Sequence, residues 1–305
     1  MILVFHVTVN ATRTAETRMA DYKARTAIRV INLDTSIDRR EEFTQMVGGK
    51  KLDWAFFPAH TSKTEPLQYD GRAAVRRCGR PLSPLEIGCY ASHFKLWEWL
   101  SNSDFDQVII FEDDIIVDWQ FIEKLTIIRF ADYGINLIRL HTYCLFNWKI
   151  VKYKFLSENN HLVMLTGMVP GAAAYLLSKA AARNLVSNYS IIDAPLDWVL
   201  PRYWEHGIIN YCIFPFPVIH RDGPSTIGDE RYAVSQRATI YERFARIGWR
   251  VRDRAERAYV DHCLIKRFPL GPTKDSGPPF IPSPNLRRTW DRPSGRESSK
   301  KLERP

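Results

Sequence analysis

What the sequence lacks at its N-terminus is an apolar run long enough to cross a membrane. The first nine residues, MILVFHVTV, are apolar, but a membrane-spanning helix needs roughly 20 residues. They also lack the basic leader and the small-residue cleavage site of a signal peptide. We interpret residues 1–26 as an N-terminal extension and Met19 as an alternative start of translation.

Cysteines are few and irregularly spaced. The chain has five, and no pair has the CxxC spacing of a zinc site or the density of a disulfide-stabilised scaffold. They are Cys78, Cys89, Cys144, Cys212 and Cys263. These counts argue against a zinc-finger or disulfide-rich protein, and we expect a reducing, cytoplasmic compartment.

A recognised nucleic-acid-binding motif is also absent, although the net charge is +9. The positive excess is local: residues 231–305 carry 18 Lys and Arg against 8 Asp and Glu, whereas residues 1–230 carry 25 against 26. The basic character therefore belongs to the C-terminal quarter, and we expect no nucleic-acid partner.

Apolar residues are abundant enough for a folded domain. They make up 45% of the 305 residues, which suffices for one large core or two modest ones. Strand-like runs alternate with helical segments: AIRVINL (27–33) precedes one helix, and VIIF (108–111) follows another. This alternation predicts an open α/β sheet, which we place in residues 27–235.

The segment LSPLEIGCYASHFKLWEWL (82–100) predicts a helix with a defined start. Ser83 is a suitable N-cap, Pro84 occupies the first helical position, and Glu86 would complete a capping box. The helix would end just before the strand that contains VIIF.

Four other segments carry specific predictions. WAFFPA (54–59) is a predicted strand followed by a polar loop of about 20 residues. Helices are predicted for WQFIEKLTIIRF (119–130) and LLSKAAARNLVSN (176–188). YCIFPFPVIH (211–220) is a predicted strand that its prolines would confine to the sheet edge.

A basic amphipathic helix is predicted for residues 236–268. Its apolar positions recur at spacings of three and four, and arginines fill most of the other faces. The apolar stripe consists of Ile240, Phe244, Ile247, Val251, Ala255 and Tyr259. Residues 269–305, rich in Pro, Gly, Ser, Lys and Arg, have the composition of a disordered basic tail.

Three consecutive acids, Glu112, Asp113 and Asp114, interrupt the apolar stretch VIIFEDDIIV (108–117). Ligands of an open α/β sheet bind beyond the carboxyl ends of its strands, where these acids would lie. Adjacent carboxylates raise one another's pKa unless a cation neutralises them, and Mg²⁺ or Mn²⁺ bound with phosphate oxygens is the usual solution. We expect a phosphorylated ligand; the alternative is a plain turn, with Asp114 or Asp118 capping the next helix.

Six segments form an ordered set: VINLDTSIDRREEF, LSPLEIGCYASHFKLWEWL, VIIFEDDIIV, LIRLH, GAAAYLLSKAAARNL and PLDWVL. In order and spacing, this set resembles glycosyltransferase family 25, which includes bacterial lipopolysaccharide and lipooligosaccharide galactosyltransferases and the collagen galactosyltransferase domain. The resemblance covers about residues 29–228. It implies a GT-A-like fold, that is, an open mixed sheet flanked by helices, followed here by the basic helix and tail.

The same resemblance implies an enzyme: an inverting, metal-dependent hexosyltransferase that uses Mn²⁺ or Mg²⁺. The expected donor is a UDP-sugar, with galactose the first candidate. The expected acceptor is a lipid-linked saccharide in lipopolysaccharide or lipooligosaccharide core biosynthesis. The alternatives are a glucosyltransferase acting on another cell-surface glycan and a catalytically silent carbohydrate-binding or assembly protein of the same fold.

The resemblance also assigns the acids to a DxD-type motif. Glu112 and Asp114 would point to the same side of an extended segment; Asp114 would bind the metal, and Glu112 the metal or the ribose. Asp113 would be structural. His220 is a further candidate metal ligand, although Gln is common there in relatives, and His141 stands where some relatives have Glu.

Further residues are assigned to the nucleotide sugar: Asn32 and Leu33 at the uracil, Arg39 and Arg40 at phosphate or a nearby acid, Ser92 and His93 before the acidic strand, and Gly171 in a turn at the donor sugar. For the arginines the alternative is a solvated helical turn. For His93 it is a satisfied core position, and for Gly171 close helix packing.

Inverting transfer requires a general base that takes the proton of the acceptor hydroxyl. Asp197, in PLDWVL (195–200), is the first candidate, and Asp193 is the second. The alternative role for Asp197 is to cap the helix that follows it.

A lipid-linked acceptor would place the enzyme in the cytoplasm, bound peripherally to the inner face of the bacterial inner membrane. Anionic lipids attract a basic segment by roughly 1 kcal/mol per nearby Lys or Arg. The predicted basic helix is therefore the candidate contact with an anionic membrane surface. The alternative is that its apolar stripe packs on the catalytic domain.

Overall fold

The structure, a computed structural model, describes residues 23–143, 147–221 and 240–267. The strands are β1 (Thr26–Asn32), β2 (Trp54–Pro58), β3 (Gln68–Tyr69), β4 (Gln107–Glu112), β5 (Ile115–Val117), β6 (Leu137–Arg139), β7 (Asn147–Lys152), β8 (His161–Thr166), β9 (Ala174–Ser178), β10 (Ile191–Ile192), β11 (Tyr211–Phe214) and β12 (Val218–His220). The helices are α1 (Ile37–Val47), α2 (Gly71–Cys78), α3 (Pro84–Asn102), α4 (Trp119–Thr126), α5 (Lys179–Asn188), α6 (Leu196–Val199), α7 (Tyr203–His206) and α8 (Ile240–Arg267).

Eight strands form one sheet in the order β2-β1-β4-β9-β6-β11-β8-β7. Strands β2, β1 and β4 are parallel, whereas β9 is antiparallel to both of its neighbours, β4 and β6. Strand β11 is parallel to β6 and antiparallel to β8. The predicted fold class, an open mixed sheet flanked by helices, is confirmed.

Strand β4 is buried on both faces of the sheet. Val108 and Ile110 belong to the core beneath α3, whereas Ile109 and Phe111 pack on the other side with Phe43 of α1. A continuous apolar run is expected when helices cover both faces of a strand. The polar side chains of β4 are therefore confined to its two ends, Gln107 at the start and Glu112 at the carboxyl end.

Helix α3 begins as predicted. The Ser83 hydroxyl accepts a hydrogen bond from the Glu86 backbone N–H (3.2 Å), and the Glu86 carboxylate accepts one from the Ser83 N–H (2.9 Å). Arg80 binds the same carboxylate through two hydrogen bonds of 2.7 and 2.6 Å. The capping box thus fixes the start of the helix that carries Ser92 and His93.

The helix predicted for residues 176–188 starts too early. Ala174–Ser178 form β9, in the middle of the sheet, and α5 begins only at Lys179. Ser178 ends the strand and caps the helix by accepting a hydrogen bond from the Ala181 N–H. All five residues of β9 are buried, and a short buried apolar run has no period that separates strand from helix.

The edge strand predicted for residues 211–220 is also wrong. Strand β11 ends at Phe214 and lies inside the sheet, between β6 and β8. Strand β12 is a separate element that pairs with β5. Pro215 and Pro217 lie between the two strands, so they end the pairing rather than confine it to an edge.

Two predicted boundaries need correction. The polar loop expected after β2 contains β3 and α2, and the side chain of Asp70 caps α2. The helix predicted for residues 119–130 ends at Thr126, and a 3-10 turn (Phe130–Tyr133) follows. Asp118 caps this shorter helix.

Candidate active site

A cleft lies at the carboxyl ends of β1 and β4. These strands are parallel neighbours in which Ile31 pairs with Glu112, so the segments that follow both strands meet at one edge of the sheet. Helix α3, α6 and β12 also contribute to the walls. Eight of the predicted site residues line this cleft: Leu33, Arg39, Ser92, His93, Glu112, Asp114, Asp197 and His220.

Asp113 is held by the protein itself. Its two carboxylate oxygens accept hydrogen bonds from Asn32 Nδ2 (2.7 Å) and from a terminal nitrogen of Arg39 (2.9 Å). Asn32 is in turn oriented by Arg40, whose Nε donates to Asn32 Oδ1 at 3.0 Å. These contacts suit a structural role for Asp113 and leave the outer two acids for a ligand.

Glu112, Asp114 and His220 converge in the cleft. One potential ligand atom from each lies within 4.8 Å of the other two. Oδ1 of Asp114 is buried and accepts no hydrogen bond of ordinary geometry from the described residues, although Nε2 of His220 lies 3.2 Å away. Carboxylate oxygens are suitable ligands for both Mg²⁺ and Mn²⁺. An imidazole nitrogen binds transition-metal ions more readily than it binds Mg²⁺. These side chains therefore fit the expected cation.

Register explains how His220 reaches the acids. Strand β12 is antiparallel to β5, which begins just after Asp114, and His220 pairs with Ile115. The backbone N–H of Arg221 also donates to the Asp114 carbonyl at 2.8 Å. Residues more than 100 positions apart thus share one end of a small two-stranded sheet.

Positive groups offset part of the acidic charge. One terminal nitrogen of Arg39 lies 2.9 Å from Asp113 and 3.3 Å from Asp114. Burial alone would raise the pKa of Asp114, but His220 and Arg39 outweigh it and lower that pKa. The Asp114 carboxylate in turn raises the pKa of His220 to about 8. When His220 gives up its proton to act as a ligand, one guanidinium faces three carboxylates, and the remaining negative charge suits a divalent ion.

His93 is connected to the core by two hydrogen bonds. Trp97 Nε1 donates to the Tyr175 hydroxyl (2.9 Å), and that hydroxyl lies 2.8 Å from His93 Nδ1. Because the hydroxyl already accepts from the indole, we assign its proton to the bond with Nδ1, which leaves the imidazole proton on Nε2. Nε2 is buried without a hydrogen-bond partner among the described residues and lies 3.8 Å from Glu112 Oε1. His93 thus offers a donor at the cleft rather than a satisfied core position.

The two candidate bases lie in different places. Asp197 lines the cleft at the start of α6, and no side chain caps that helix. Asp193 is not among the cleft-lining residues; its carboxylate pairs with Arg77 Nε at 3.1 Å. Burial raises the pKa of Asp193. The geometry therefore favours Asp197.

Three other predicted residues lie just outside the cleft lining. Asn32 donates a hydrogen bond to Asp113, and Arg40 donates one to Asn32. Gly171 has φ of +123°, and its carbonyl accepts a hydrogen bond from Arg139. A Cβ at this position would come 3.3 Å from Arg139. Gly171 thus allows the backbone to lie close to Arg139. The next residue, Ala172, lines the cleft.

Ser92 and His141 have roles within the protein. The Ser92 hydroxyl accepts from the His60 N–H and donates to the Gly88 carbonyl, both at 2.8 Å. His141 Nδ1 lies 3.2 Å from the Val218 carbonyl oxygen, and burial lowers the pKa of His141. Ser92 therefore fixes a wall of the cleft, and His141 supports the strand that carries His220.

Comparison with known proteins adds the decisive observation. Residues 25–200 match the profile of glycosyltransferase family 25 (LPS biosynthesis protein). The chain belongs to glycosyltransferase family 25.

Curated relatives of this family 25 member are bacterial and animal proteins. Lacto-N-neotetraose biosynthesis glycosyltransferase LgtE of Neisseria meningitidis serogroup B is 27% identical over 201 residues, which cover 61% of this chain and 71% of that protein. Procollagen galactosyltransferase 2 of Homo sapiens is 27% identical over 104 residues, covering 32% of this chain and 17% of that protein.

Similarity to a solved structure is weak. A glycosyltransferase involved in the glycosylation of the major capsid of PBCV-1 aligns with 66% of this chain and 94% of that chain, at a TM-score of 0.28 and 12% identity. A similarity of this size does not define a shared fold. Among the described helices, none is both long and apolar enough to span a bilayer.

Among the residues of the candidate site that the sequence did not predict, Cys89 and Tyr175 bear on its chemistry. Cys89 lines the cleft one helical turn before His93, and with Glu112 these residues form a second group of potential ligand atoms within 4.8 Å of one another. The spacing CYASH, i and i+4 on a helix, was an available signal. Tyr175 had no such signal, because its partners His93 and Trp97 lie on a different element.

Proposed function

We propose that this glycosyltransferase moves a hexose, with galactose the first candidate, from a UDP-sugar to a saccharide acceptor, with inversion at the anomeric carbon. The observation that carries the proposal is the convergence of Glu112, Asp114 and His220 at the carboxyl ends of parallel strands, the usual place for a nucleotide ligand. The relatives' names, a lacto-N-neotetraose biosynthesis glycosyltransferase and a procollagen galactosyltransferase, support sugar transfer and galactose.

Donor binding would use the charges around the acids. Mn²⁺ or Mg²⁺ held by Glu112, Asp114 and His220 would stabilise the negative charge of the departing diphosphate. Arg39 lines the same cleft and donates to Asp114, so its guanidinium lies where it can also contact a phosphate. Leu33, in the turn after β1, lines the cleft and would provide an apolar wall for the uracil.

His93, which lines the cleft beside Glu112, would also act on the donor. Its Nε2, to which we assign the proton, lies 3.8 Å from Glu112 Oε1. In that position it can donate to an oxygen of the donor or hold the Glu112 carboxylate in place. Either contact satisfies a buried donor that otherwise costs about 1–3 kcal/mol.

Asp197 is the proposed general base. Its carboxylate would take the proton of the acceptor hydroxyl as the hydroxyl oxygen bonds to the anomeric carbon, on the face opposite the departing UDP. The bond between the anomeric carbon and the diphosphate oxygen breaks in the same step, and UDP leaves with the electron pair. Attack from the opposite face gives inversion.

The proposed acceptor is a lipid-linked saccharide of lipopolysaccharide or lipooligosaccharide core biosynthesis. The description of the family as LPS biosynthesis proteins supports this pathway. An acceptor of this kind lies at the cytoplasmic face of the bacterial inner membrane, so we also propose peripheral association with that surface.

The test has two parts. First, UDP-galactose, UDP-glucose and UDP-N-acetylglucosamine are screened with Mn²⁺ for protection against thermal unfolding; we expect the largest protection from UDP-galactose. Second, slow hydrolysis of the best donor is compared between the wild type, Asp197→Asn and the matched control Asp193→Asn. We expect Asp197→Asn to lower hydrolysis about 10²-fold or more while donor protection remains, and Asp193→Asn to hydrolyse the donor at close to the wild-type rate.

Different outcomes would count against different parts of the proposal. Protection by UDP-glucose alone would redirect it to a glucosyltransferase. Protection by no UDP-sugar would contradict donor binding, and donor binding without turnover in the wild type would favour a silent carbohydrate-binding protein. Full activity of Asp197→Asn would remove Asp197 as the base.

A further inference from the structure

Helix α8 is attached to the rest of the protein by a polar face. Asp253 Oδ1 accepts hydrogen bonds from Arg202 (2.8 Å) and from Trp204 Nε1 (3.0 Å). Arg246 donates to the Cys78 carbonyl at 3.1 Å. These bonds orient the helix on the surface formed by α2 and α7.

Aromatic and apolar contacts complete the same face. The Trp249 ring lies 4.9 Å from the Arg202 guanidinium carbon and 5.5 Å from that of Arg77. Toward the C-terminal end of the helix, Val260 and Leu264 join the core of the domain. Arg246, Trp249, Asp253 and Val260 follow at spacings of three, four and seven, so one stripe of α8 makes these contacts.

The apolar stripe that the sequence predicts lies on the other side of α8. Four of its large side chains are exposed: Phe244 (68%), Ile247 (57%), Val251 (62%) and Tyr259 (69%). Small residues, Gly248 and Ala255, lie between them and are exposed as well. The alternative that this stripe packs on the catalytic domain is therefore wrong.

Cationic side chains border the exposed stripe. Arg250 and Arg254 fall on one side of it. Arg252 falls on the other side, where its Nε lies 2.7 Å from the Glu256 carboxylate. All three arginines are exposed. Over the whole of α8 the sequence has seven Arg and one Lys against four Asp and Glu. An exposed apolar strip with arginines on both sides, on a helix with a positive excess, has the pattern of a helix that lies in the interface of an anionic bilayer.

We propose that the outward face of α8, Phe244, Ile247, Val251 and Tyr259 with Arg250, Arg252 and Arg254, docks on an anionic lipid surface. The apolar side chains enter the boundary between headgroups and acyl chains, and the arginines contact lipid phosphates. Charge argues against a second copy as the occupant, because two such faces would bring cationic borders together.

This inference supplies a surface for the membrane association proposed above, and it is separable from the transfer reaction. None of these side chains is part of the cleft lining. Donor binding in solution, without lipid, should therefore be the same whether or not α8 can dock.

The test is flotation of the full chain with vesicles. Phosphatidylcholine vesicles containing about 30% phosphatidylglycerol are compared with vesicles of phosphatidylcholine alone. The variant Phe244→Ser/Ile247→Ser/Val251→Ser is compared with the control Ile127→Ser/Tyr133→Ser/Ile191→Ser, whose targets are 48%, 48% and 53% exposed on other parts of the surface.

We expect the wild type and the control to float with the anionic vesicles and the α8 variant to bind about tenfold more weakly or worse. Arg250→Ser/Arg254→Ser should also weaken this binding, and raising the salt concentration should reproduce that loss. All variants should keep wild-type protection by UDP-galactose with Mn²⁺, which shows that they are folded.

Three results would overturn the proposal. One is flotation of the α8 variant at the wild-type level. Another is equal binding of the wild type to neutral and anionic vesicles, which would remove the electrostatic contribution. The third is a lipid-free wild-type dimer, detected by light scattering, that the α8 variant dissociates, because a second copy would then occupy the face.

Discussion

At the scale of single residues, three adjacent carboxylates are tolerated at the end of β4 because they do not share the same surroundings. Their polar neighbours differ, although Arg39 contacts two of them: Asn32 and Arg39 lie at Asp113, His220 and Arg39 at Asp114, and His93 at Glu112. All three acids line the cleft, but the central one is also bound by Asn32 and Arg39. Glu112 ends β4, whereas Asp113 and Asp114 lie in a bend before β5. The expected extended segment through the three acids is therefore wrong, and the contacts of Asp113 distinguish it from its neighbours.

The Tyr175 hydroxyl provides a direct test of the role of His93. Tyr175→Phe leaves the buried Trp97 N–H without its acceptor, which should lower the free energy of unfolding by about 1–3 kcal/mol. It also removes the bond that places the imidazole proton on Nε2, so we expect the KM for the donor to rise. Urea denaturation and donor kinetics measure the two effects separately.

Tyr90→Phe is the matched control, because the buried Tyr90 hydroxyl donates to the Tyr189 carbonyl at 2.9 Å and Tyr90 is absent from the cleft lining. This variant should lose stability but keep the donor KM. Equal changes in KM for both variants would mean that Tyr175 acts only through stability.

His206 predicts a pH dependence of stability. Burial lowers its pKa to about 4, against about 6.5 in an unfolded chain. Below pH 6.5 the unfolded chain therefore takes up a proton that the folded protein excludes. This part of the stability is fully present above pH 6.5 and is lost as the pH falls toward 4, by roughly 3 kcal/mol in total.

Urea denaturation between pH 7 and pH 4.5 measures this slope. His206→Gln should be less stable at pH 7, because His206 accepts from the Ile208 N–H at 3.0 Å, but its stability should fall less steeply with pH. His262→Gln, at an exposed position of α8, should keep the wild-type slope. An unchanged slope in His206→Gln would contradict the assignment to His206.

At the scale of elements, the close approach of α3 to the segment after β2 shapes one wall of the cleft. A Cβ at Gly88 would overlap the His60 carbonyl and lie 2.8–2.9 Å from backbone atoms of Thr61. Both His60 and Thr61 line the cleft. Glycine is therefore required where a helix touches a backbone.

Gly88→Ala should destabilise the protein by about 1–3 kcal/mol and raise the donor KM, because the wall at His60 and Thr61 must move. Gly248→Ala, in α8, is the matched control, since nothing lies within 4 Å of its added Cβ; it should be neutral or slightly stabilising. Thermal unfolding and donor titration compare them. A wild-type KM in Gly88→Ala would show that the wall does not depend on this contact.

The sequence predicted elements well where local chemistry decides them. The capping box at Ser83 and the helical period of α8 are local signals, and both predictions are confirmed. The last three residues of β9 were assigned to the helix because its apolar residues, Ala174 to Leu177, are followed almost directly by an alanine-rich helix. The position of β11 inside the sheet depends on pairing with β6 and β8, which no local pattern encodes.

At the scale of the whole molecule, the candidate site is assembled from distant segments. Resemblance to a family pointed to Glu112, Asp114 and His220, and the structure brings them together. The family resemblance could not reveal that Tyr175 contacts His93, because that contact depends on how β9 packs against α3. The resemblance also could not reveal which face of α8 is exposed. The helix contacts the rest of the protein through the side that carries Asp253, and the predicted apolar stripe faces outward.

The central claim is that Glu112, Asp114 and His220 hold a divalent cation that binds the donor diphosphate. The most direct test of this claim is calorimetric titration of UDP-galactose into the protein in the presence of Mn²⁺. The titration compares the wild type, Asp114→Asn and the control Asp132→Asn. Asp132 is an exposed acid of the 3-10 turn. We predict that Asp114→Asn, or chelation of Mn²⁺ in the wild type, weakens donor binding by about a hundredfold or more, whereas Asp132→Asn binds like the wild type. Donor binding by Asp114→Asn at wild-type affinity, or wild-type affinity that persists after chelation, would contradict the claim.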